Sequence, residues 1–324
     1  SVIFNDLGNS TVLLNTNVSP ASIVISNNSQ TYTFSGSGGV SGSTGLRKLG
    51  SGTAVLNLTN DTYLGATAIS NGVLQVANTG AGSTLSPSAD LIIGPNGTLQ
   101  LSAQLANAVT TVGEFTGSGI IDYNGGNNSI LAFGGTTGGT WNGTIQDHNA
   151  GGLSITKNGS GTWVIGGTNY LNNGDFFNAV SQVQFNGGTT IITNGAVVAV
   201  EATEFWIGQG AGSSSSVIVA GGMLSVSNNW LAIGRGDASA SGTLTVNSGT
   251  VQKSGNNNIV VGSTGATGTL IVNGGQVLNS SDLVLGENAT GNGTLLLNGG
   301  LLQARVVRPN NAPVTSMANF DGGT

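Results

Sequence analysis

The chain has 324 residues, of which 56 are glycine and none is cysteine; it has one histidine, seven Lys+Arg and thirteen Asp+Glu, for a formal net charge of -6. Charged residues make up 6% of it, against roughly 25% in an ordinary soluble domain. These figures exclude a disulfide framework, thiolate and multi-histidine metal sites, a cysteine nucleophile, and the basic stripe a nucleic-acid interface requires.

The chain opens at Ser1 without a basic leader region and reads as processed or as a piece of something longer. Apolar triplets follow at Val2-Ile3-Phe4, Val12-Leu13-Leu14, Ile23-Val24-Ile25 and Tyr32-Thr33-Phe34, with Asn, Ser and Gly between them. This is a cadence of short strands and turns. Helix is disfavoured throughout, because glycine costs about 1 kcal/mol per helical position relative to alanine. No apolar run approaches the roughly 18 residues of a membrane helix.

Next comes a longer repeat. Lys48-Leu49-Gly50-Ser51-Gly52-Thr53-Ala54-Val55-Leu56 recurs as Lys157-Asn158-Gly159-Ser160-Gly161-Thr162-Trp163-Val164-Ile165. Asn71-Gly72-Val73-Leu74-Gln75-Val76 recurs as Asn194-Gly195-Ala196-Val197-Val198-Ala199-Val200. The second copy holds extra residues over 171–184, predicted to be a loop leaving one turn. Residues 201–303 then repeat more regularly, every 24 to 28 residues. Gly242-Thr243-Leu244-Thr245-Val246-Asn247 is followed by Gly268-Thr269-Leu270-Ile271-Val272-Asn273 and Gly293-Thr294-Leu295-Leu296-Leu297-Asn298. Each copy leads through a glycine or glycine pair to a second strand. A third strand ends in glycine: Leu231-Ala232-Ile233-Gly234, Ile259-Val260-Val261-Gly262 and Leu283-Val284-Leu285-Gly286. Residues 304–324 read as the start of another repeat or an end contact.

Three short strands of alternating pattern cannot bury their own apolar face. Coiled one unit per turn and stacked on the equivalent strands of the next turn, they can. The predicted fold is therefore all-β: one continuous parallel β-helix over 1–324, irregular over 1–200 and regular over 201–303, with about three short strands per turn. A propeller needs about 40 residues per blade, more than this spacing provides.

The segment from Gly45 to Val76 resembles the autotransporter-associated β-strand repeat of bacterial passenger domains. The later repeats resemble those shared by type V secretion passengers and PEP-CTERM surface proteins. Together the resemblances cover about 45–76, 152–200 and 206–303. They imply a right-handed β-helix, secreted or displayed at a bacterial cell surface, serving as a stalk, an adhesin or a matrix component. They bring no catalytic residues with them.

The candidate chemistry is sparse. Glu201 and Glu204 form the densest acidic spot and lie beside Trp206. Paired carboxylates about 5–10 Å apart can hydrolyse glycosides, and a tryptophan can stack on a sugar. The alternative function is accordingly carbohydrate binding or degradation, with Trp206, Trp230 and Trp141 as platforms. Trp163 is a further tryptophan with the same two readings, platform or core. His148 reads as a turn residue. Asp237, Asp282 and Glu287 do not recur at equivalent positions, so neither structural calcium nor any other metal or cofactor is expected. The expected partners are other copies of the chain, through open helix ends, and surface or matrix polysaccharide.

Overall fold

A computed structural model describes residues 1–77, 85–102, 105, 107–147, 152–171, 182–288, 290–310 and 316–324. It is an all-β parallel solenoid of about 12 turns, about 24 residues each, with three parallel sheets. All but a few of the 171–184 insertion residues lie outside the described residues, as does His148.

Each turn visits three faces. The first is stacked from Val2–Phe4, Ile23–Ile25 and Leu46–Lys48 through to Thr267–Val272, Asn292–Leu297 and Met317–Phe320. The second includes Tyr32–Ser35, Thr53–Asn57, Ile120–Tyr123 and Gln276–Asn279. The third runs from Ala108–Val112 to Val307–Pro309. In two of the regular repeats the first and second strands are one continuous strand, Ser214–Val226 and Ser241–Lys253, bent at a register shift rather than broken by a loop. Glycine at the bend lets the backbone turn the corner without losing its ladder.

The alternation in the sequence becomes rows along the rod. Val217, Leu244, Leu270 and Leu295 stack in register and are all fully buried. One residue earlier, Ser216, Thr243, Thr269 and Thr294 form the matching outer row. The side-chain period of two puts the two sets on opposite faces. On the outer corner, Asn298 donates from Nδ2 to Asn273 Oδ1 at 2.8 Å, and Asn273 donates to Asn247 at 2.9 Å. Neutral amides tolerate this stacking, whereas like charges repeated at about 4.8 Å would repel.

One feature of the sequence has an unexpected place. All three lysines of the chain are buried: Lys48 is 0% exposed, and Lys157 and Lys253 are each 1% exposed. Each ends a strand on a different face and substitutes for an apolar or amide residue in its inner row. Lys48 lies between Ile25 and Ile69, Lys157 between Phe133 and Phe185, and Lys253 between Val226 and Asn279. The ammonium groups turn to the corner carbonyls. Lys157 donates to Gly159 O at 2.8 Å and to Gly187 O at 2.5 Å. Lys48 donates to Gly50 O and Asn71 O, and Lys253 to Ser254 O. The Lys-x-Gly-Ser-Gly-Thr motif is thus a corner clamp joining adjacent turns.

Burial lowers the pKa of each lysine to about 8. The unfolded chain therefore holds more protons than the folded chain between pH 8 and the ordinary lysine range, so stability rises with pH in that window. Burial raises Tyr63 and Tyr123, which reverses the trend above about pH 10. The urea midpoint is expected to be higher at pH 9.5 than at pH 7.5; an equal or lower midpoint would show that the folded chain does not disfavour the charged form of these lysines.

Candidate functional site

The sequence candidates separate into core and surface. Trp141 and Trp163 alternate inward and are 0% and 1% exposed. They belong to an aromatic core with Phe115, Phe133, Phe185 and Phe205, whose rings meet edge to face at 4.6–6.0 Å. Trp141 is therefore corrected from a surface platform to a core residue. Its Nε1 donates to the buried Asn169 Oδ1 at 2.9 Å.

Glu204, Trp206 and Trp230 do come together, on the third face. Trp206 is the outward residue of the strand Phe205–Gln209, because Phe205 and Ile207 on either side point into the core. Its Nε1 donates to Glu204 Oε2 at 2.5 Å. Arg235, one turn on, places its guanidinium 4.8 Å from the Trp206 ring centroid and 5.5 Å from that of Trp230. Its Nη1 lies 3.5 Å from the same Glu204 oxygen. Sequence reading missed Arg235, and the signal was available: it stands where Gln209 and Ser263 stand in the adjacent repeats. Glu201 joins neither contact among the described residues.

The geometry is that of a clasp between two turns. The Glu204 oxygen has an indole donor and a guanidinium, and Arg235 covers the faces of both rings by cation–π contact. A glycosidase pair would need Glu201 and Glu204 to face one substrate, but Glu204 is held by its neighbours.

Four further acidic residues are each engaged separately. Asp282 accepts from Arg305 Nε and Arg308 Nε, both at 2.8 Å, and these two guanidinium groups hold its pKa down to about 2. Asp237 accepts from Ser239, and Glu287 accepts from Ser263 Oγ at 2.7 Å. Asp6 accepts backbone N–H groups of Asn28, Ser29 and Gln30, which lower its pKa to about 2. Among the described residues there is no group of three or more His, Cys, Asp or Glu side chains able to hold a metal ion.

No protein-family model matches the chain, and no curated protein and no solved structure matches it either.

Proposed function

We propose that the chain is a rigid spacer or adhesive module of a bacterial cell surface or its matrix, built like the passenger repeats it resembles. The observation that carries this reading is the continuity of the rows. Apolar residues run through the interior from turn to turn, while the strands Ser214–Val226, Thr267–Val272 and Asn292–Leu297 bear no charged residue. At about 4.8 Å per strand step, a dozen turns give a rod on the order of 60 Å. Such a rod acts mechanically: it holds whatever is attached at one end at a fixed distance from the other. Extracellular placement follows from the resemblance and agrees with the charge-poor, turn-rich surface.

Head-to-tail association of copies belongs to the same proposal, because open strand edges can pair with further strands. Electron microscopy of the purified chain is expected to show rods joined end to end; single short rods at all concentrations would remove that part. For the adhesive role, producing cells lacking the chain are expected to lose attachment to surfaces or to matrix, and regain it on complementation. Unchanged attachment, or release of sugar products from matrix polysaccharide by the purified chain, would overturn the reading.

A further inference from the structure

A buried carboxylate near the N-terminal end has no counter-ion. Asp61 is 4% exposed and directly precedes the short strand Thr62–Tyr63. Its Oδ1 accepts the Val40 backbone N–H at 2.7 Å. Among the described residues nothing else donates to this carboxylate and no cation pairs with it. Isolated buried aspartates are rare, because desolvating a carboxylate costs far more than one backbone hydrogen bond returns.

Asp61 also lines a solvent-connected cavity of about 360 Å³, with Asn17, Thr59, Asn60, Thr62 and Pro87. Apart from the proline, every lining side chain carries oxygen and none carries positive charge. The Asn60 amide nitrogen donates outward to Ser37 O at 2.9 Å, leaving its oxygen uncommitted. Asn17 Oδ1 accepts the Gly39 N–H at 2.9 Å and keeps a second lone pair. The hydroxyls of Thr59 and Thr62 take no part in a hydrogen bond among the described residues.

We propose that this cavity binds a hard divalent cation of the calcium class, with Asp61 as its one charged ligand and the asparagine and threonine oxygens, with water, completing the shell. Calcium takes six to eight oxygen ligands from carboxylates, amide carbonyls and water, and its affinity falls with the number of charged ligands. A single carboxylate places the site at the weak end, with a Kd on the order of 10⁻³ M, the range of extracellular modules. Burial raises the Asp61 pKa to about 6, so the ligand is ionised at pH 7.5. Tyr63 is the titratable group facing it, and it stays neutral there.

Terbium(III), a calcium substitute excited through nearby tyrosine, provides the probe. Titration of the whole chain at pH 7.5 is expected to give saturable sensitised emission that calcium competes away. Asp61→Asn should abolish it with unchanged circular dichroism, while Asp282→Asn, at a carboxylate already paired with two arginines, should leave it intact. Should Asp61→Asn fail to fold, the exposed Asn17→Ala carries the test, with binding weakened several-fold. Absence of saturable emission, or equal emission from the wild type and the folded variants at Asp61 or Asn17, would overturn the proposal.

Discussion

Replacing Trp163 by alanine is expected to destabilise the solenoid by about 3–5 kcal/mol, the usual cost of removing a buried tryptophan. Trp163 is 1% exposed, and its ring centroid lies 4.7 Å from that of Phe115 and 4.8 Å from that of Phe133. These partners come from two faces, so the cavity would open where the sheets converge. Phenylalanine substitutions separate packing from hydrogen bonding. The Trp163 Nε1 has no partner among the described residues, so Trp163→Phe loses only volume. Trp141→Phe also strands the Asn169 oxygen, at about 1–3 kcal/mol more. Urea unfolding of the two variants should rank Trp141→Phe as the more damaging; the reverse order would contradict this description of the core.

The second large effect is at the third-face glycines. Gly208, Gly234, Gly262 and Gly286 occupy the same place in successive turns, with φ between +69° and +73°. There the chain leaves the third face, and the first-face strand one turn beyond the one it enters passes its backbone directly behind: Ser241 behind Gly208, Thr267 behind Gly234 and Asn292 behind Gly262. A Cβ on Gly262 would lie 2.0 Å from Asn292 O and 2.3 Å from its carbonyl carbon. Gly262→Ala therefore combines left-handed strain of about 1–2 kcal/mol with a clash against backbone that cannot rotate away. Gly212 is the control: its φ is +72°, yet nothing lies within 4 Å of its Cβ position. Gly212→Ala should show the strain alone, and Gly262→Ala clearly more; equal midpoints would mean that the turns do not pack as closely as described.

The rows and the turns were legible because they are local. A strand such as Thr267–Val272 shows its inner and outer residues within six positions, and its glycines mark the corners. What was not legible depends on contacts one turn away, about 24 residues along the chain. Lys48 and Lys157 stand in the sequence as members of a motif, and only the stacking of Gly50 and Gly159 with their neighbours shows the corner carbonyls that a long side chain with a terminal N–H donor reaches from inside. Arg235 is marked in the sequence by its repeat position, but its partners Trp206 and Glu204 lie in the turn below. Trp141 and Trp206 look alike in sequence, but strand phase sends one ring into the core and the other out under an arginine. No aspartate recurs from repeat to repeat, whereas Asp61 stands alone among neutral oxygens and is marked only by its burial.

Each turn is an equivalent unit of length, and excising two turns tests this directly. Ser214 stacks on Ser241, Ser241 on Thr267 and Thr267 on Asn292. Removing residues 241–291 should therefore let Asn292 stack on Ser214, the C-terminal flank losing only the Asp282 pairs with Arg305 and Arg308. Small-angle scattering from the isolated, non-associated chain should show the cross-section unchanged and the rod about 10 Å shorter, two strand spacings. A collapsed or unfolded chain, or one of unaltered length, would contradict the account.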